Sequence, residues 1–195
     1  MFINLKNIFF IFFTSFALTL NYIYSGNNYD IVIGNGKIVD GSGNPWYEAD
    51  IGIIGDRIVH IGNLQSHSTA KFIDAKNLIV SPGFIDPHTH AIRGVFDVPN
   101  VESSLLQGVT TLTEGNDGSS PFPIDRHFQK ILDKKISPNW GVFVGHGTIR
   151  SKVVGSEDRE PTPNELDQMK DLVKQAMEHG ALGLSTGLYY VPGNF

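Results

Sequence analysis

Ser81–Pro82–Gly83–Phe84–Ile85–Asp86–Pro87–His88–Thr89–His90 is the stretch on which the reading of the fold turns. A breaker pair opens it, an apolar strand follows, and two histidines close it. Residues i and i+2 of an extended chain face the same side, so both imidazoles can meet one ion at the strand's carboxyl end. Asp86 shares that parity and can orient one of the rings. Two histidines alone do not make a catalytic zinc site, which takes three protein ligands and keeps one open position. The alternative is a pair of imidazoles that hydrogen-bond at the start of a loop.

C-terminal to this motif, helices and strands alternate. Val101–Gln107 is a short helix candidate, and Gly108–Thr113 is a second strand running into the polar loop Glu114–Ser120. Ile124–Leu132 suggests a helix, and Trp140–Val144 a third strand ending at Gly145–His146–Gly147. Thr162, Pro163 and Glu165 then have the spacing of a capping box with proline in the first turn. Leu166, Met169, Val173, Ala176 and Met177 repeat at helical spacing, and Gly180 terminates the helix. Ala181–Ser185 is a fourth strand. Strands alternating with helices imply an α/β fold with a parallel sheet and crossover connections. Such folds collect their chemistry at the carboxyl ends of the strands.

The candidates at those ends are few. Glu114 and Asp117 follow the second strand, and either can bind a metal or remain a solvated loop charge. His146 ends the third strand, where a substrate contact and a structural hydrogen bond are both open. Arg150, on the same stretch, can pair with a substrate carboxylate or with a nearby acidic side chain. Ser185 closes the fourth strand and joins His146 and Arg150 as a substrate-binding candidate. His127 and His179 fall on helices and are expected to face solvent, and His60 and His67 belong to the preceding β region. None of these four is given a role.

N-terminal to the motif, Tyr29–Val80 reads as short strands and turns, a small β module without a ligand cluster. Gly34–Asn35–Gly36 reads as a turn, and Ala49–Ile61 as a hairpin about Gly55–Asp56. Before it, Ile8–Leu20 is an apolar run behind a single charge, Lys6, the pattern of a signal peptide over residues 1–25. The run is shorter than the roughly 20 residues needed to cross a bilayer. The expectation is export to the periplasm or beyond, with no stable transmembrane span after cleavage. A buried N-terminal strand is the competing reading. Domains are expected at 26–80 and 81–195.

Composition narrows the function. Among 195 residues, 15 Lys and Arg stand against 20 Asp and Glu, giving a net charge of −5. That balance argues against nucleic-acid binding. The absence of cysteine excludes disulfide scaffolds, thiolate zinc sites and thiol catalysis. No P-loop or dinucleotide glycine pattern sits between a strand and a helix.

At these residues the chain resembles the amidohydrolase superfamily in its D-aminoacylase branch. Tyr29–Gly36 resembles that family's N-terminal β region, Ser81–His90 its first barrel strand and metal motif, and Gln107–Thr111 its second strand. Gly145–Arg150 and Gly180–Gly193 resemble motifs of the deacylase branch. The resemblance implies a (β/α)8 TIM-type barrel beside a small β-sandwich-type region, one or two Zn2+ ions, and hydrolysis of N-acyl-D-amino acids. His88 and His90 then match the first two metal ligands. Relatives place cysteine within Gly-Asn-Cys-Gly after strand two; here Gly115–Asn116–Asp117–Gly118 puts Asp117 there, with Glu114 as the alternative. A carboxylate is a harder ligand than a thiolate and weakens the preference for zinc.

In that family a metal activates water and an aspartate late in the barrel moves its proton. Such an aspartate is expected beyond residue 195, so no catalytic residue is assigned within the chain. Pro82–Phe195 supplies fewer than half of the about 250 residues of a typical barrel. The expected object is therefore the first half of an incomplete barrel, a truncated chain without deacylase activity. Two alternatives remain at this point. One is an amidohydrolase acting on cyclic amides or dipeptides; those often use a carboxylated lysine, and Lys152 lies deep in its loop. The other is an exported binding or structural fragment built on the β region.

Overall fold

A computed structural model describes residues 29–64 and 69–195. The export segment expected over residues 1–25 lies outside the described residues, as does His67. The chain divides into two compact units between Pro82 and Gly83. No helix among the described residues is long and apolar enough to cross a membrane.

The first unit is one mixed five-stranded sheet. Its strands are β1 (Tyr29–Ile38), β2 (Tyr47–Ile54), β3 (Arg57–Gly62), β4 (Thr69–Asp74) and β5 (Ile79–Val80). The order is β3-β2-β1-β4, and β5 also pairs with β1. β1–β2 and β2–β3 are antiparallel, whereas β4 and β5 run parallel to β1. Among the described residues of this unit there is one sheet and no second one. Tyr29, Val32 and Leu64 form its buried core, with Ile54 and Val59 packed against them.

Gly34–Asn35–Gly36 does not end the first strand as the sequence suggested. β1 continues through it with a register shift between Ile33 and Gly36. Asn35 takes a left-handed conformation there (φ 64°), and the strand absorbs the irregularity as a bulge. The buried carboxylate of Asp50 steadies it. Asp50 Oδ1 accepts the Asn35 N–H at 3.0 Å, and Oδ2 accepts the Leu64 N–H at 2.9 Å. Both oxygens of a buried acid are thereby satisfied.

The second unit is α/β. β6 (Phe84–Asp86) is followed by a 3-10 turn at Ala91–Arg93, α1 (Glu102–Leu105), β7 (Val109–Glu114) and α2 (Ile124–Lys134). Then come β8 (Asn139–Val142), β9 (Val144–Gly145), α3 (His146–Val153), α4 (Pro163–Glu178) and β10 (Leu184–Ser185). β6-β7-β8 form one parallel sheet, and β9-β10 form another parallel pair. Among the described residues these strands make an open array and no closed barrel.

The expected third strand is thus two strands that change partner at Phe143. The Phe143 N–H donates to the Glu114 carbonyl at 2.8 Å, and the Val144 N–H to the Gly183 carbonyl at 2.9 Å. Ile124, Val142, Val144, Ile149, Met169 and Ala176 bury one continuous core between these strands and helices α2, α3 and α4. β6, an apolar strand in sequence, lies at the sheet edge with Phe84 and Ile85 exposed.

α4 forms as its sequence requires. Thr162 Oγ1 accepts the Glu165 N–H, the Glu165 carboxylate accepts the Thr162 N–H, and Pro163 occupies the first turn. His127 departs from expectation. It faces the core of α2 with Ile124 and Ile131 and is 5% exposed. Its Nε2 accepts the indole N–H of Trp140 at 3.1 Å. That acceptor role requires a neutral ring carrying its proton on Nδ1. Burial lowers its pKa below the usual histidine range, and the nearby Lys130 lowers it further.

Candidate metal centre

The carboxyl ends of β6 and β7 bring three side chains together. His88 and His90 follow β6, and their rings stand edge to face with centroids 5.5 Å apart. Asp117 arrives from the loop after β7. Its Oδ2 lies 3.2 Å from His88 Nε2 and 3.4 Å from His90 Nε2. One donor atom from each residue lies within 4.8 Å of the other two. Two imidazole nitrogens and a carboxylate oxygen at such separations fit a divalent ion bound at about 2.0–2.2 Å, with a coordination position left open. The three side chains stay partly exposed, at 55%, 49% and 36% respectively.

The loop geometry explains why Asp117 reaches the histidines. Asp117 is left-handed (φ 59°), a conformation that aspartate tolerates better than most residues. Gly118 follows at φ 75°, and a Cβ there would sit 2.7 Å from the Gly187 amide nitrogen. The chain therefore reverses within two residues and turns the Asp117 carboxylate back over the end of β6.

Glu114 is not part of this group. It is 1% exposed, and its Oε1 accepts the Thr89 hydroxyl at 2.6 Å and the Ile92 N–H at 3.0 Å. Thr89 lies between the two histidines, and its N–H also donates to the Thr113 carbonyl at 3.1 Å. Glu114 thus braces the histidine segment from beneath. Asp86, considered as a partner for an imidazole, accepts the backbone N–H of His88 at 3.1 Å instead.

The remaining candidates are not among the three donors. His146 is the first residue of α3, and its buried Nδ1 has no hydrogen-bond partner. Arg150 is 1% exposed on the same helix. Its Nη2 donates to the carbonyls of Glu157 and Arg159 at 2.9 and 2.7 Å. These bonds tie α3 to the following loop, while the buried Nε of Arg150 has no hydrogen-bond partner. The Ser185 hydroxyl donates to the Gly115 carbonyl and accepts the Gly118 N–H at 3.2 Å.

Two residues that sequence reasoning passed over also hold this region. Thr148 Oγ1 accepts the Ser120 N–H at 2.9 Å, and Ser120 Oγ accepts the Gly145 N–H at 2.9 Å. No spacing in the sequence marks either one. A cavity of about 800 Å³ opens beside the donors, lined among others by His90, Arg93, Glu114, Asp117, Lys152 and Tyr190. Two cationic side chains, Arg93 and Lys152, line this space together with His90 and Asp117.

With this fold and donor set, the chain belongs to the amidohydrolase family, whose pattern its residues 71–191 match. Within that family it is 35% identical to D-aminoacylase of Alcaligenes xylosoxydans xylosoxydans, over 84% of this chain and 39% of that protein. It is 33% identical to the N-acyl-D-glutamate deacylase of the same organism, over 84% of this chain and 38% of that protein. The crystal structure of N-acyl-D-glutamate deacylase from Bordetella bronchiseptica, complexed with zinc and a phosphonate mimic of the tetrahedral intermediate, superposes with a TM-score of 0.81. Its sequence identity is 33%, and the match covers 86% of this chain and 40% of that one. A crystal structure of D-aminoacylase gives 0.74 at 33% identity, covering 85% and 40%. The chain spans about two fifths of the length of the curated relatives it matches.

Proposed function

We propose that this chain carries the metal-binding strand ends of a hydrolase that cleaves the amide bond of N-acyl-D-amino acids. The observation that carries the reading is the convergence of His88, His90 and Asp117 at the ends of two adjacent parallel strands. Kinship with D-aminoacylase and the N-acyl-D-glutamate deacylases supports the substrate class. The same reading takes β6 to β10 as strands of the first half of a (β/α)8 barrel, the β1–β5 unit as part of a β-sandwich, and residues 1–25 as an export signal.

Zinc held by the three donors would supply Lewis acidity, acidifying water and polarising the acyl carbonyl. The protein's own groups set the rest. Glu114 keeps Thr89 and the flanking histidines in register. Arg93 and Lys152 offer charge to the carboxylate that every N-acyl amino acid carries.

Zinc titration of the chain by calorimetry is the first test, with binding expected in the wild type and lost in the double variant His88→Ala/His90→Ala. The second is a chimera in which residues 29–195 replace the matching part of D-aminoacylase. Zinc-dependent release of amino acid from N-acetyl-D but not N-acetyl-L substrates is expected, and Asp117→Ala should abolish it. A zinc-loaded, folded chimera without activity toward D substrates overturns the reading.

A further inference from the structure

We propose that Ser185 is a positioning residue for the metal centre, acting through Asp117. The inference rests on the metal-binding reading above and assigns a different task to the end of the fourth parallel segment. Ser185 lies 68 positions along the chain from Asp117, yet its one hydroxyl engages both sides of the Asp117 turn. It donates to the Gly115 carbonyl and accepts the Gly118 N–H at 3.2 Å. Gly115 and Gly118 are both left-handed, at φ 80° and 75°. A turn built on such residues has many backbone alternatives in the absence of tertiary restraint. The hydroxyl selects one of them, the one that points the Asp117 carboxylate at His88 and His90.

The serine itself is fixed. β10 pairs in parallel with β9, Ser185 opposite Gly145. Gly145 is tied in turn to the same loop through Ser120 Oγ at 2.9 Å. The Thr148 N–H donates to the Gly118 carbonyl at 3.2 Å, so the third side of the turn is held from α3. Among the described residues, Ser185 is the only one whose side chain hydrogen-bonds to both Gly115 and Gly118. Partners that orient a ligand from behind commonly change metal affinity 10- to 100-fold when removed.

The test is a double-mutant cycle on the 195-residue chain, read as zinc dissociation constants by calorimetry and as the visible spectrum of the Co2+ form. Ser185→Ala should weaken zinc binding about tenfold or more and alter the Co2+ spectrum, with Ser185→Thr restoring both. In an Asp117→Ala background the same serine substitution should have almost no further effect, because its action runs through that carboxylate. Far-UV circular dichroism reports that the fold is retained; if Ser185→Ala does not fold, Ser185→Gly takes its place in the cycle. Unchanged affinity and spectrum in the folded serine variant, or an equal loss in both backgrounds, overturns the proposal while the metal-binding reading stands. Failure of the wild-type chain to bind zinc overturns both.

Discussion

Asp117 Oδ2 stands 3.2 Å from His88 Nε2, although 29 residues separate the two in sequence. The contact exists because β6 and β7 are hydrogen-bonded neighbours in parallel, with Asp86 opposite Leu112. Parallel pairing brings both carboxyl ends to one rim, and the left-handed turn at Asp117 closes the remaining gap. Asn can adopt the same backbone conformation but offers no anionic oxygen. Asp117→Asn should therefore leave the melting temperature of the metal-free chain within a few degrees of wild type. Its zinc affinity should fall by more than about a hundredfold, beyond the range usual for losing a supporting partner. Calorimetric titration checks the affinity, and a thermal melt of the apoprotein checks the fold.

The Trp140–His127 bond predicts a pH dependence of stability. The folded state holds His127 neutral, with its pKa lowered first by burial and then by Lys130. The unfolded chain binds more protons at this ring, so stability rises with pH across the window. The contribution is complete above the unfolded imidazole pKa near 6.5 and is lost as pH falls through the lower folded value. Gln in its place can accept the indole N–H without titrating. Melting temperatures of wild type and His127→Gln, measured from pH 5 to 8, should converge in slope above about pH 7 and diverge below it. Parallel curves throughout would show that His127 does not titrate on unfolding.

How much of this was legible in the sequence depends on the range of the interaction. The capping box at Thr162–Glu165 and the paired parity of His88 and His90 are local, and the residues themselves declare them. The buried face of α2 was not read from the sequence: positions 124, 127 and 131 follow helical spacing, but a histidine at the middle position hid it. The choice between Glu114 and Asp117 was not legible. Both follow β7, and only the burial of one and the left-handed φ of the other separate them. The split of residues 139–145 into two strands escaped for the same reason. An apolar run carries no mark of the point at which its hydrogen-bonding partner changes from β7 to β10.

α4 offers a test of the local signals. Its first turn is closed twice, by Thr162 and by Arg159, whose guanidinium grips both Glu165 oxygens at 2.8 Å. Those bonds, Arg159 first and Thr162 second, hold the Glu165 carboxyl well below the usual carboxylate range. Its contribution is present above the unfolded value of about 4.3 and is lost as pH falls through the depressed folded value. Thr162→Ala should cost about 1 kcal/mol in urea denaturation at neutral pH. Glu165→Gln should flatten the loss of stability below about pH 4, a difference that denaturation curves at pH 3 and 6 would register.

Gly187 packs directly against the backbone of Asp117. A Cβ on it would overlap the carbonyl of Asp117 and approach the Tyr190 ring to 3.0 Å. The obstacle is backbone, which cannot rotate away as a side chain can, so the loop bearing Asp117 has to move. Gly183 is the matched control: a Cβ there would meet only the Phe143 ring at 3.6 Å, an ordinary contact. Gly187→Ala should lower stability by about 1–3 kcal/mol, the usual cost of overpacking. It should also weaken zinc binding, because the displaced atoms belong to the residue that supplies the third donor. Gly183→Ala should leave zinc affinity unchanged. Equal zinc affinities in the two variants would mean that the close approach of Gly187 is not what holds Asp117 in place.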